Sequence, residues 1–340
     1  MSVTSLVSAR RQRSLLTFCS AWLALLAVTV IASLLIGAGQ VSPARALAVL
    51  TGSQDHDARF VVYELRGQRT LLAIIVGMAL GAAGTLLQSA TRNPLAEPGL
   101  LGVSAGASFA VVLAISLGAS AATVHFSVAI IGAMVGCLLV LLVTQVRYVG
   151  DDPVRLVLAG AAFSAMLGAI TTLMLLFDQR SADEIRFWVI GTLAGRSSAA
   201  LWWSAPGILL ALVLMTLLVR PLAALALGEH IATGLGHHPR LTRLLTLLIV
   251  AVLVGIATAV AGPIAFIGLI VPFVARAQVG SDIRRTLWLS LLIGPSLLLL
   301  ADVLSRLAVK PYELPIGVIT AMIGAPVLVA VVRSRRLPTL

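Results

Sequence analysis

The feature that most restricts this chain is the recurrence of apolar runs long enough to cross a bilayer. Such runs occupy residues 15–37, 70–90, 99–118, 123–144 and 154–177, then 201–219, 241–261, 263–279, 286–308 and 315–332. A hydrocarbon core about 30 Å thick needs about 20 apolar residues in helical form. With 59% of 340 residues apolar, 11% charged and a mean hydropathy of +1.07, the chain carries more apolar surface than a soluble domain of this size needs. The sequence therefore predicts an all-α polytopic membrane protein with about ten transmembrane helices. Residues 15–332 form one membrane domain, flanked by short tails at 1–14 and 333–340.

A net charge of +11 raises the question of nucleic acid, and the placement of the charges answers it. The basic residues sit between the apolar runs, so the expected surroundings are membrane lipid, with no nucleic-acid partner. With both tails inside, the cytoplasmic segments hold 15 Arg and the external ones 8 Arg plus Lys310, which accounts for all 24 basic residues. That bias supports a multi-pass protein with both termini cytoplasmic. Arg10-Arg11-Gln12-Arg13 before the first run reads as the anchor of an uncleaved span, because the run is too long for a signal peptide. Lys310, the single lysine, lies in Val-Lys-Pro, so the GxxxxGK[ST] phosphate loop is absent. Any ATP, with its Mg, must be bound by a separate subunit. Cys19 and Cys137 both fall in apolar runs, where a small buried hydrophobe is the ordinary reading.

Several segments stand apart from plain spans. Arg92-Asn-Pro-Leu-Ala-Glu-Pro-Gly-Leu-Leu-Gly-Val-Ser-Ala-Gly-Ala-Ser108 contains Pro94 and Pro98, each of which biases the residue before it out of the helical region. A stiff non-helical elbow follows, and Gly99, Gly102 and Gly106 then present a small-residue face for close helix packing. Phe187-Trp-Val-Ile-Gly191 is too short to cross and predicts a re-entrant or interfacial helix with Trp188 at the membrane surface. Arg66-x-x-Arg69 and Arg240-x-x-Arg243 precede runs on opposite sides, the parity of an inverted repeat or of chance. In the longest cytoplasmic connection, Ile231, Ala232 and Leu235 fall on one face of a short apolar helix, suited to the membrane interface or to a partner's groove.

Arg66, Arg69 and Arg306 lie on the external side against the positive-inside trend, where an arginine snorkels, pairs locally or meets a partner. Asp302, four residues before Arg306, is placed to hold that guanidinium as an i,i+4 pair. The five histidines, at 56, 125, 230, 237 and 238, are scattered, and His237 and His238 lack the partners of a metal site. No cluster of nucleophile, base or metal ligands supports a membrane enzyme. No ionisable residue falls mid-span as an ion-coupled secondary transporter would require.

The elbow sequence resembles the signature of the FecCD-type permeases, the family of siderophore, haem and cobalamin importers. Three further segments resemble the same family in the same order: Leu227–Gly236, Gly262-Pro-Ile-Ala-Phe-Ile-Gly-Leu-Ile-Val-Pro272, and Glu313-Leu-Pro-Ile-Gly-Val-Ile-Thr-Ala-Met-Ile-Gly-Ala-Pro326. The similarity extends from about residue 60 to 332. It implies a type II ABC importer permease fold, a subunit without catalysis or bound cofactor, and transport of a ferric-siderophore-type chelate, with cobalamin or haem as alternatives. The implied partners are a second permease protomer, identical or paralogous, two ATPase subunits that bind ATP, and a periplasmic or lipid-anchored substrate-binding protein. By resemblance, residues 220–240 hold the coupling helix, with Gly228, Ile231, Ala232, Leu235 and Gly236 as its contacts to the ATPase. Arg66, Arg69 and Arg306 match positions that receive acidic residues of the binding protein. Asn93 and Leu95 match the cytoplasmic gate, and the fifth and tenth spans line the path between protomers. Phe273 departs from the family pattern, which often carries His there.

Overall fold

The computed structural model describes residues 3–37, 39–119, 121–145, 153–196, 198–309 and 312–333. Lys310 and the tail from 334 onward lie outside these residues, and the first tail is helical from Val3. Ten helices correspond to the ten apolar runs: α1 (Val3–Leu35), α4 (Gln68–Thr91), α5 (Val103–Ser116), α6 (Ala121–Gln145), α7 (Pro153–Phe177), α9 (Ser198–Ala226), α11 (Pro239–Ala261), α12 (Ile267–Val279), α13 (Ile283–Ala308) and α14 (Ile316–Arg333). Shorter helices join them: α2 (Pro43–Leu50), α3 (His56–Arg59), α8 (Gln179–Ile190) and α10 (Glu229–Gly234).

At the centre stands α4, because its sequence is small where neighbours must come close. A Cβ at Gly77 would lie 2.6 Å from Pro295, one at Gly81 2.8 Å from the Ser290 carbonyl oxygen, and one at Gly84 1.8 Å from that of Gly268. These glycines recur along one face and let α13 and α12 pack at backbone distance, the usual geometry where lipid offers no hydrophobic drive to associate. Thr85 and Ser290 add a hydroxyl contact of 2.8 Å across the α4–α13 seam. The expected small-residue face on α5 is present at Gly102 and Gly106, which meet Gly136 and Gly132 of α6. Gly99 stays outside that seam, with nothing nearer than 3.9 Å to an added Cβ.

Three departures from the sequence reading matter for the site. The second apolar run does not begin at residue 70. His56 to Thr91 is one continuous helical rod, passing through a wide π turn at Phe60–Gly67, so Arg66 and Arg69 are helical residues inside the bundle. The eighth run is helical only from Ile267, which leaves α12 with 13 residues. At 1.5 Å per residue that is about 20 Å, too short to cross alone. Finally, Trp188 does not sit at the interface. It is 3% exposed, and its indole N–H reaches the Ala259 carbonyl at 3.4 Å. The end of α8 is clamped instead: Thr192 N–H donates to Ala261 O at 2.7 Å, and Gly317 N–H donates to Gly191 O at 3.2 Å.

Outside the first helix, Asp55 caps α3 by accepting the Ala58 N–H and binds Arg45 at 2.6 Å. The Ala58 N–H, followed by Arg45, holds the Asp55 carboxyl below its usual range. This exposed cap ties α2 to α3 beside the end of α1.

Candidate functional site

At the end of the bundle that carries α2 and α3, the three arginines singled out in the sequence converge. Arg66 is 5% exposed and Arg306 is 1% exposed. Arg66 donates to the carbonyls of Leu34, Leu35 and Val41 at 3.0, 2.8 and 3.0 Å. Arg306 donates to the Ser33 and Ile36 carbonyls at 2.8 and 3.1 Å, to Ser33 Oγ at 2.9 Å, and to Asp302. Ser33, Leu34 and Leu35 end α1, where the last carbonyls have no intrahelical donor and the dipole is negative. Two permanent cations therefore cap one helix terminus. Of the readings left open for these external arginines, local pairing describes Arg66 and Arg306: burial and carbonyl bonding hold both inside the fold. The expected i,i+4 pair of Asp302 and Arg306 is present.

Arg69 is the outermost of the three and has different partners. Its Nε donates to Asp302 Oδ1 at 2.8 Å, and its Nη1 donates to Glu313 Oε2 at 2.5 Å. Asp302 is fully buried, whereas the Glu313 side chain is 30% exposed. Three arginines and two carboxylates thus tie α1, α4 and α13 to the residue that leads into α14. Glu313 went unnoticed in the sequence reading, although the motif beginning Glu313-Leu-Pro was quoted there. Its spacing from Arg69 carries no local signal.

The elbow forms as its prolines dictate. Arg92 ends α4 in the left-handed region at φ 48°, Asn93 Oδ1 accepts the Leu95 N–H at 2.9 Å, and Glu97 is extended at φ −113°, ψ 131°. One 3-10 turn at Pro98–Leu101 and Gly102 at φ 77° then launch α5. Leu95 is 36% exposed and shares an apolar slot with Phe273 of α12 and Val327 and Leu328 of α14. Asn93 shapes the turn, and Leu95 is the residue that meets the neighbouring helix. Phe273 now has a place, beside Leu95.

A second break lies between α11 and α12. Residues 262–266 are non-helical, and Phe266 takes a left-handed φ of 69°. Glu97 accepts the Phe266 N–H at 2.6 Å. A Cβ at Gly324 would lie 2.3 Å from the Phe266 side chain, so α14 passes directly over this junction. Non-helical backbone at membrane depth survives only where protein satisfies it. The sequence predicts the extended backbone of Glu97 ahead of Pro98 but not its bond to Phe266, which no local pattern marks.

At the opposite end, Gly228 at φ 123° and Gly236 at φ 79° bracket α10, conformations that favour glycine. Ile231 and Leu235 are 50% and 61% exposed, whereas Ala232 is 1% exposed. The expected three-residue contact face is corrected, because Ala232 packs against its own chain. A Glu229–Arg243 ion pair joins α10 to α11. Among the described residues no group of three or more His, Cys, Asp or Glu could hold a metal ion.

The chain matches the FecCD transport family over residues 25–334. It is 43% identical over 314 residues to the ferric enterobactin transport system permease protein FepD of Escherichia coli, covering 92% of this chain and 94% of that protein. It is 38% identical over 292 residues to the Fe(3+) dicitrate permease FecC of the same organism, covering 85% and 87%. Among solved structures it superimposes with a TM-score of 0.80, at 29% identity, on an inward-facing ABC transporter assigned to the metal-chelate type, covering 92% of this chain and 98% of that one. With the broken helices, the elbow and the α10 turn in the arrangement of such a permease, the chain belongs to the FecCD transport family.

Proposed function

We propose that this chain is the permease subunit of an ATP-driven importer that moves a ferric-siderophore-type chelate into the cytoplasm. The single observation that supports it most is 43% identity, over nearly the whole of both chains, to a ferric enterobactin permease. The protein works in the bacterial inner membrane with both termini in the cytoplasm, which puts α10 inside and the arginine network outside. Two protomers, identical or paralogous, enclose the path. On each, α7 and α14 expose apolar side chains such as Met166, Leu173, Met322 and Val329. Smooth apolar walls suit a bulky chelate, because ligands to its metal would retain it.

ATP and Mg are bound by two separate ATPase subunits. Ile231 and Leu235 seat in a groove of each, with Gly228 and Gly236 setting the angle of the helix. A periplasmic or lipid-anchored binding protein delivers cargo to the outer end. Its carboxylates compete with Glu313 for Arg69, the member of the network within reach. Loss of the Arg69–Glu313 pair frees the start of α14, so docking is felt along the path to Leu95 and Phe266.

Reconstitution tests this reading. The chain alone in liposomes should hydrolyse no ATP. Adding its ATPase and binding protein should give ATP-dependent uptake of a radiolabelled ferric catecholate, in preference to haemin or cobalamin. Uptake of haemin or cobalamin without uptake of any ferric chelate would overturn the cargo assignment, and vanadate-sensitive hydrolysis by the chain alone would overturn the subunit assignment.

A further inference from the structure

A cavity of about 220 Å³ opens at the end of the bundle that carries α10. Arg92 and Ser89 from the end of α4, Arg276 from α12, and Ser281 and Thr286 at the start of α13 line it, and the last turn of α9 closes one side. Among the described residues no carboxylate lines the cavity. The nearest in sequence, Asp282, caps α13 by accepting the N–H groups of Arg284 and Arg285 and pairs with Arg285 at 3.4 Å. The Ser89 and Thr286 hydroxyls donate to the carbonyls of Thr85 and Gly280, so the charge in the cavity is that of the two guanidiniums.

Arg276 makes this cavity unusual. It is 4% exposed, and among the described residues it has no acidic partner. Its Nη2 donates to the neutral Gln88 side-chain oxygen, and its buried Nε has no partner. Gln88 is fixed in turn by donating to the Ala96 and Leu269 carbonyls at 3.2 and 3.4 Å. A neutral amide orients a guanidinium but does not neutralise it, and a desolvated charge without a counter-charge is costly. The other two deeply buried arginines are better satisfied: Arg306 has Asp302 beside it, and Arg66 donates to three backbone carbonyls. Arg92 reaches the cavity from a left-handed helix end and donates to the Leu225 carbonyl.

We propose that this cavity binds a phosphate group, with Arg276 and Arg92 as its cationic ligands. Planar guanidiniums present paired donors that match a tetrahedral oxyanion. The cavity lies at an end of the bundle, where headgroups and water both have access, so two sources share this chemistry: the headgroup of an anionic lipid and free inorganic phosphate. Ala226, which lines the cavity, ends α9 directly before the Leu227–Gly228 segment that leads into α10, so occupancy bears on how that segment is held. The proposal does not depend on which cargo is carried.

The test uses the full chain in nanodiscs of phosphatidylcholine, read by its thermal unfolding midpoint. In one arm sodium phosphate is titrated against sodium chloride at matched ionic strength. In the other, phosphatidylglycerol replaces part of the lipid in phosphate-free buffer, and native mass spectrometry counts retained lipid. A saturable rise with phosphate identifies the free anion, and a rise with retained phosphatidylglycerol identifies the headgroup. In either case Arg276→Gln should weaken the response about tenfold, the equivalent of one charge-assisted contact. Should Arg276→Gln fail to fold, Ser281→Asp places a carboxylate at the exposed lip and should suppress the response without touching the buried arginine. No response in either arm, or a response undiminished by both substitutions, overturns the proposal.

Discussion

The carboxylate of Glu97 accepts the backbone N–H of Phe266 at 2.6 Å, joining two chain breaks that are 169 residues apart. One break is the proline elbow before α5, the other the five residues between α11 and α12. The elbow supplies, through the Glu97 side chain, the acceptor for the Phe266 N–H. Glu97→Ala should leave the Phe266 N–H without an acceptor and cost about 1–3 kcal/mol. Glu97→Gln keeps an acceptor oxygen and should cost less. Thermal unfolding of the two variants checks the order, and equal stability would show that the bond contributes nothing.

The arginine network separates a structural role from a docking role. Arg66→Ala removes two bonds to the end of α1 and one to Val41, and should destabilise the protein by about 1–3 kcal/mol while leaving affinity for the binding protein unchanged. A fall in that affinity at unchanged stability would assign Arg66 to docking instead.

Arg69→Glu reverses the one charge that an outside carboxylate can reach, and it also sets three acids together at Asp302 and Glu313. Like charges across an interface repel, so docking and uptake should fall sharply while assembly with the ATPase survives. Partial rescue by a compensating charge reversal on the binding protein establishes direct contact. Unchanged binding by Arg69→Glu would reduce the network to a helix tie.

On α10, exposure predicts opposite phenotypes for neighbours. Ile231→Asp and Leu235→Asp place a charge on an exposed apolar surface, so the chain should insert and fold normally yet fail to retain the ATPase in a pull-down. Ala232→Asp buries an unpaired charge within the chain itself and should destabilise the α10 turn by several kcal/mol. Matching defects in all three variants would place Ala232 at the partner surface after all.

Close packing gives a further expectation. A Cβ at Gly106 would lie 2.4 Å from the Gly132 carbonyl oxygen, so Gly106→Val should force α5 and α6 apart and reduce the amount of folded protein recovered from membranes. Gly168→Ala, where an added Cβ meets nothing within 4 Å, is the control.

By itself, the sequence determined the solvent, the number of apolar helices, the elbow and the small-residue seam. Each of these is written in a local pattern: run length against bilayer thickness, proline against its preceding residue, glycine where helices touch. The i,i+4 pair of Asp302 and Arg306 was legible for the same reason, since helical spacing alone brings them together. What only the tertiary structure decided was where the charges point. Arg66 and Arg306 carry the same charge on the same side as Arg69, yet the end of α1 takes two guanidiniums and leaves the third to Asp302 and Glu313. Ala232 and Leu235 share a helical face in sequence, yet the docking of α10 on α9 and α11 buries one and exposes the other. Arg69 and Arg306 find partners more than 200 residues away in sequence, Arg66 finds its own across a helix connection, and Ala232 is covered by the helices on either side of it; burial and counter-charge come from packing, which no local spacing encodes.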